Sequence, residues 1–344
     1  MASQSVDTLL TDEQYAVIMG LYSSVGTVLS VFGLVTNAVN VKTFVAMGAD
    51  DGVTVAFLFL SSAEFVCFLA ALGQELAMIF WVTEMTSKYK IVFDFHPMIF
   101  NNFFSNARNC FFDIPVLITL YLAVAKCMCV IRPLHFKNMF SVKRTLWVMT
   151  GISVFAVLSY LPIPASAGVT WQFDKNINRS RPMFWTSEHR NIIKNVVLNA
   201  RDSFPSIVSE IVILVCIYLM SKSLGRAAKF RASTRSGAIV EKTANPYRAT
   251  TATVAKVDTK LKGAELQVIK QVVVISAIYI VGNTPKIIIF MVLYIVPDLS
   301  FGNRYQYVYI VIMNTRELIE MFTSAVNIVI YYTYNSKFRR YCKC

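Results

Sequence analysis

Nine ionisable side chains stand inside long apolar stretches of this chain: Glu64, Arg108, Asp113, Lys126, Glu210, Lys286, Arg316, Glu317 and Glu320. A charge in hydrocarbon is costly, and it marks function unless a partner neutralises it. A buried carboxylate can hold a proton or a hard cation with oxygen ligands. A guanidinium can grip a carboxylate through two parallel hydrogen bonds. Bond-making chemistry has less to work with. The three histidines, His96, His135 and His189, all fall outside the apolar stretches. No Cys/His spacing suits zinc, and no Gly-rich phosphate loop occurs. The sequence does not read as an enzyme.

The elements that must position these groups follow from hydropathy. The chain has 344 residues, 56% hydrophobic and only 15% charged, against about 25% charged in soluble domains. About 20 apolar residues cross a bilayer. Seven stretches qualify: Tyr15–Val41, Val53–Leu72, Ile99–Cys129, Thr145–Val169, Phe204–Met220, Gln271–Val296 and Tyr305–Tyr334. The third and seventh carry three charges each. The runs are continuous rather than alternating, which excludes a membrane barrel and makes strands unexpected. The expected fold is an all-α membrane protein, a seven-transmembrane helix bundle over 15–334. A terminus over 1–14 precedes it and a short amphipathic eighth helix and tail over 335–344 follow. Residues 222–262 read as a basic loop without repeat or apolar period.

Charge placement orients the bundle. With the acidic N-terminus outside, the inner segments hold 19 Lys and Arg and the outer segments 8. The net charge of +13 is then explained by attraction to anionic lipid, without nucleic acid. Residues 1–14 contain no Lys or Arg, so no secretory signal is visible. One sequon, Asn178-Arg179-Ser180, falls on an outer loop and offers Asn178 for glycosylation.

Several short motifs sit at corresponding ends of these spans. Span one carries Gly33-Leu34-Val35-Thr36-Asn37, span two Leu60-Ser61-Ser62-Ala63-Glu64, and span three Ala125-Lys126-Cys127 before Arg132-Pro133-Leu134. Span six carries Tyr279 and Gly282-Asn283-Thr284-Pro285. Span seven ends Asn327-Ile328-Val329-Ile330-Tyr331, with Phe338 seven residues on. Together they resemble the rhodopsin-like G-protein-coupled receptors over nearly the whole chain. Asn37-Ala38-Val39-Asn40-Val41, the Asn-Thr-Pro of span six and Ala228-Lys229-Phe230-Arg231 look like orphan chemosensory and peptide-type receptors of molluscs.

The resemblance implies a plasma-membrane receptor, N-terminus outside and C-terminus cytoplasmic, passing an extracellular signal to a heterotrimeric G protein, with arrestin as a further partner. It implies a polar core of Asn37, Glu64, Ser324 and Asn327 that holds an allosteric sodium ion. The other reading of Glu64 is a protonated carboxyl bonded to Asn37. It implies a latch between Lys126 and Glu265, twenty residues before Pro285; the alternative is two interface charges that never meet. Span six would pivot near Asn283 and Pro285, and Tyr218 and Tyr331 would support the open state.

The departures are specific. The arginine of span three is Lys126, which lacks the planar fork. The tryptophan of span six is Asn283. The proline of span seven is Ile328, so its kink is expected to be lost. Both cysteines of the outer disulfide are absent, which leaves the Thr170–Ala200 loop unpinned in this reading. These departures allow a receptor-like protein that does not signal. A transporter would need paired repeats, and the halves do not correspond.

The outer halves of the spans offer Arg108, Arg201, Asp202, Lys286 and Glu317 to a ligand, described by the resemblance as a peptide, an amino-acid-like molecule or an odorant. Arg108 argues against a simple monoamine by charge repulsion. Arg108 and Lys286 on one cavity would suit a carboxylate; the alternative is internal pairing of Arg108 with Asp113 or Glu317. Span seven contains no lysine, which excludes a retinal Schiff base. Cys342 and Cys344 follow Phe338-Arg339-Arg340 and read as palmitoylation sites, or else as free thiols.

Overall fold

The computed structural model describes residues 10–87, 91–131, 141–174, 178–198, 201, 206–222, 263–296, 298–299 and 303–342. They are predominantly helical: α1 Asp12–Met47, α2 Gly52–Thr86, α3 Met98–Ile131, α4 Val142–Tyr160, α5 Pro162–Ala165, α6 Arg190–Leu198, α7 over 206–222, α8 Gly263–Ile295, α9 Gln306–Ala325, α10 Asn327–Tyr334 and α11 Ser336–Cys342. Strands β1 Ala167–Asp174 and β2 Arg179–Thr186 stand between α5 and α6.

Five helical stretches are long and apolar enough to cross a membrane: α1, α2, Met98–Cys129 of α3, Val142–Ala165 and Lys270–Ile295 of α8. Their outer surfaces carry exposed large apolar side chains, among them Leu21, Val28 and Phe32 on α1, Phe155 and Leu158 on α4, and Met291 on α8. Bands of that kind would be an aggregation liability in water and suit contact with lipid tails. The chain is a helical, membrane-embedded protein. Beside the five stand α7 and the pair α9–α10; α9 carries Arg316, Glu317 and Glu320 within two turns.

Local sequence sets the helix ends. Thr11 and Gln14 form a reciprocal capping box at the start of α1, with Thr11 N–H donating to Gln14 Oε1 at 3.0 Å and Gln14 N–H to Thr11 Oγ1 at 3.2 Å. The helix therefore begins inside the segment read as an outer terminus. Gly48, at φ 80°, ends it. Asp51 caps α2, accepting from the N–H groups of Val53 and Thr54.

The helices pack in a consecutive round. α1 lies along α2 and α9, α2 along α3 and α4, and α3 along α4 and α8, while α8 closes on α9 and α10. Glycines allow close approach. A Cβ on Gly33 would lie 2.3 Å from the Phe68 ring, and one on Gly73 would lie 2.6 Å from the Phe104 ring, as expected where small residues bring membrane helices together. The main core fills one half of the bundle around Phe57, Leu60, Ile118, Leu122 and Tyr331. α11 folds back onto α1 and α10. Asn335 Oδ1 caps it through Phe338 N–H at 2.9 Å, and Phe338 is fully buried against Phe44 and Tyr331.

Three expectations need correction. First, strands do occur: β1 and β2 form an antiparallel hairpin with Trp171 opposite Pro182 and Asp174 opposite Arg179. The fourth apolar run took Ala167–Val169 as membrane and left Trp171 and Phe173 in the outer loop. Strand period two turns Val169, Trp171 and Phe173 outward instead. Second, the hairpin is not loose. Arg181 Nη2 lies 2.7 Å from Glu84 Oε1 at the end of α2 and 2.6 Å from Asp174 Oδ2, and Nη1 donates to the Phe93 carbonyl at 3.3 Å. This buried ionic staple pins the loop to the bundle without a disulfide. Third, span seven is not straight. Val326, at φ −81° and ψ −4°, separates α9 from α10, and Val329 N–H bonds the Val326 carbonyl at 3.0 Å. A tightened three-residue turn breaks the helix where a proline would otherwise do so.

Candidate functional site

A cavity of about 90 Å³ lies between α2, α3, α8 and α9, well above the roughly 10–15 Å³ that holds one water. Glu64 reaches it from α2, Arg108 from α3 and Asn283 from α8. Glu317, Glu320 and Asn327 reach it from α9 and α10. Apolar wall comes from Phe68, Phe112, Val116 and Ile278, with Pro115 where α3 loses a backbone donor.

The charges are arranged in couples. Arg108 Nη1 donates to Glu317 Oε2 at 2.6 Å, and Gln74 Nε2 adds a bond to the same oxygen at 3.3 Å. Arg201 Nε donates to Asp113 Oδ2, its Nη2 donates to the carbonyls of Asn109 and Cys110, and its guanidinium lies 4.7 Å above the Tyr160 ring. Arg316 Nε lies 3.4 Å from Glu320 Oε1. Of the two alternatives for Arg108, internal pairing is the one observed, with Glu317 and not Asp113. Arg201 is held by α3 as a structural tie. Lys286 does not line the cavity. It is 2% exposed, and its ammonium rests 5.4 Å from the Phe112 ring and 5.9 Å from that of Phe290. Asp202 lies outside the described residues.

The polar core is assembled in part. Asn327 Nδ2 donates to Glu64 Oε1 at 2.8 Å across 263 positions of sequence, and Ser324 stands on the same cavity wall. Asn37 does not join them. Its amide donates to the Gly33 carbonyl at 3.0 Å and its oxygen accepts from Asn40 Nδ2 at 3.3 Å. With Asn37 engaged elsewhere and Pro115 bringing no side-chain oxygen, three of the four expected residues, Glu64, Ser324 and Asn327, line the cavity together.

Of the switch residues, Tyr331 is fully buried among Phe44, Phe57 and Phe338. Tyr218 faces outward at 63% exposure, with the Lys222 ammonium 5.7 Å over its ring, because its position on α7 falls on the face opposite Ile213, Cys216 and Met220. Lys126 is buried, whereas the Glu265 side chain lies outside the described residues, as does Cys344. Pro285 lies within the continuous α8. Asn283 does not stand free as a rotamer switch. Asn283 Nδ2 donates to Glu210 Oε2 at 3.1 Å, and the Thr284 hydroxyl lies 3.0 Å from Glu210 Oε1 and 2.7 Å from the Ile280 carbonyl. Asn178 is exposed at φ 52° beside β2, open to a glycan. Cys342 is partly buried on α11.

Sequence reasoning counted Glu210 and Glu320 as charges in apolar runs without giving them a partner, and it passed over Glu84 and Arg181. Outside the spans, burial and the neighbouring Arg181 hold the His96 imidazole below its usual range. That agrees with His96 Nδ1 accepting the Met98 N–H at 3.3 Å at the start of α3. No family model matches the chain, and no curated protein matches it.

Proposed function

We propose that the chain is a rhodopsin-like G-protein-coupled receptor. In this reading α1–α4, α7, α8 and the broken pair α9–α10 form a seven-helix bundle, and α11 is the cytoplasmic eighth helix. The hairpin side faces out of the plasma membrane. The observation that carries the reading is the bond from Asn327 to Glu64. It brings together two motif residues that the resemblance alone had paired, beside the central cavity. Tyr331 and Phe338 supply the same kind of support at the other end of the bundle. An extracellular peptide, amino-acid-like or odorant ligand would bind one arrangement of α3, α8 and α9 more tightly than the other. α8 would pivot near Asn283 and Pro285 and admit a heterotrimeric G protein or an arrestin, while palmitate on Cys342 anchored α11.

A second reading, a receptor-like protein that does not signal, is favoured by one contact. Asn283 and Thr284 tie α8 to Glu210 of α7 where the family has its tryptophan. Expression with a panel of G-protein sensors, screened against pooled peptides, amino acids and odorants, separates the two. Recruitment of any G protein supports the receptor. Surface-expressed chain silent to every pool and silent in Glu210→Gln supports the second reading. A tag at Met1 that labels only permeabilised cells refutes both.

A further inference from the structure

The central cavity is lined by carboxylate oxygens that receive no hydrogen bond from its walls. Its ionisable lining is Glu64, Arg108, Glu317 and Glu320, and Arg108 is engaged by Glu317. Glu320 is 8% exposed, yet neither carboxylate oxygen receives a hydrogen bond. Its one cation, Arg316, stands at 3.4 Å with Nε also unbonded. Glu64 is 3% exposed; Asn327 takes Oε1, and Oε2 has no donor. Buried carboxylate oxygens without donors are expensive, and these line one cavity, Glu64 from α2 and Glu320 from α9. The rings of Phe68, Phe112 and Tyr279 line the space beside them, and ring faces attract cations.

We infer that this cavity binds an organic ammonium ion, with its N–H groups on Glu320 and Glu64 Oε2 and its apolar body among the three rings. The inference rests on the receptor reading and names its ligand class. It reverses the carboxylate that Arg108 and Lys286 suggested. A carboxylate ligand would find Arg108 already gripped by Glu317 and would meet Glu320 as a like charge. An ammonium supplies up to three donors to oxygens that have none.

The test uses purified protein in lipid nanodiscs and reads binding by saturation-transfer NMR and the apparent unfolding midpoint. The probes are 2-phenylethylammonium, its carboxylate counterpart 3-phenylpropanoate, and sodium chloride. The ammonium is expected to bind saturably and raise the midpoint, and the carboxylate to do neither. Glu320→Gln is expected to weaken the ammonium about ten- to hundredfold, the usual loss of a hydrogen bond to a charged group. Glu320→Asp, which keeps the charge, should retain most of the binding. If Glu320→Gln does not fold, Glu64→Gln makes the same comparison. Equal binding of the carboxylate, or ammonium binding unchanged in the glutamine variant, overturns the inference. Stabilisation by sodium alone overturns it too and assigns the carboxylates to a metal cation. Signalling plays no part in these readouts. An ammonium that binds here yet recruits no G protein counts against the receptor reading and leaves the site intact.

Discussion

Removing Arg108 should damage folding before it damages binding. Its side chain is 5% exposed, that of Glu317 15%, and their contact is 2.6 Å. Arg108→Ala would leave Glu317 buried with the 3.3 Å bond from Gln74 and the Arg316 guanidinium 3.9 Å away. Breaking a buried pair from one side costs about 3–5 kcal/mol, a large part of the roughly 5–15 kcal/mol that holds a typical native state. Surface expression of Arg108→Ala should therefore fall to a small fraction of the parent. Replacing both partners by apolar residues of similar size, Arg108→Met with Glu317→Leu, removes the unpaired charge and should recover most of the loss. Equilibrium unfolding in mixed micelles, run as a double-mutant cycle, gives the coupling. It should be on the order of several kcal/mol for Arg108 with Glu317, in the range of about 1.5–7 kcal/mol measured for close charge pairs. The cycle of Arg108 with Asp113 should show little coupling, because Asp113 belongs to Arg201. Normal expression and stability of Arg108→Ala, or rescue of it by Asp113→Asn, would refute this assignment of partners.

The outer staple makes the hairpin sensitive to charge and indifferent to reductant. Arg181→Ala should expose residues 167–186 to limited proteolysis, while a mild reducing agent should leave the digest unchanged, since the described cysteines lie on helices. The neutral imidazole of His96 should give a pH dependence. Its folded value is lowered from an unfolded value near 6.5, so its contribution is complete above about pH 6.5 and is lost as pH falls through the lowered value. The gap in unfolding midpoint between the parent and His96→Asn should accordingly shrink from pH 7.5 to pH 5; a gap that widens on acidification contradicts the bond to Met98. Gly33→Ala should cost about 1–3 kcal/mol by overpacking against Phe68, and Phe68→Leu should return part of it in the same unfolding assay.

Much of the bundle is legible in the sequence because lipid imposes one rule, a continuous apolar run, on every span. Glu64 and Asn327 could be paired from motif position alone, and they meet. Charge partners were harder to read. Arg108 had two carboxylates within reach of reasoning, Asp113 on its own helix and Glu317 on another, and only packing selects the distant one. Tyr218 illustrates rotation: composition fixes that α7 is a helix but not which face turns to lipid. The break at Val326 was hidden because no residue type announces it. Sequence shows the missing proline, and the tightened turn that replaces it exists only in backbone hydrogen bonds. The hairpin was missed because residues 170–186 lie between apolar runs and were read only as a loop, where the alternation of Val169, Trp171 and Phe173 went unused.

Thr284 owns a single hydroxyl hydrogen, and two acceptors lie within its reach, the Ile280 carbonyl at 2.7 Å and Glu210 Oε1 at 3.0 Å. At any instant one of them goes without. When the hydrogen points to Ile280, it shares that carbonyl with the backbone ladder, a contact that bends a helix, directly before Pro285, where the chain has no N–H to give to the preceding turn. When it points to Glu210, that local bend is relieved and α8 gains a tie to α7. The bend of one helix and its adhesion to the next are thus exclusive at this residue. A force drawing α7 away from α8 would hand the hydrogen back to Ile280 and favour the bend, and a force straightening α8 would free it for its neighbour. A valine in the same place would fill the space equally well and abolish the exchange.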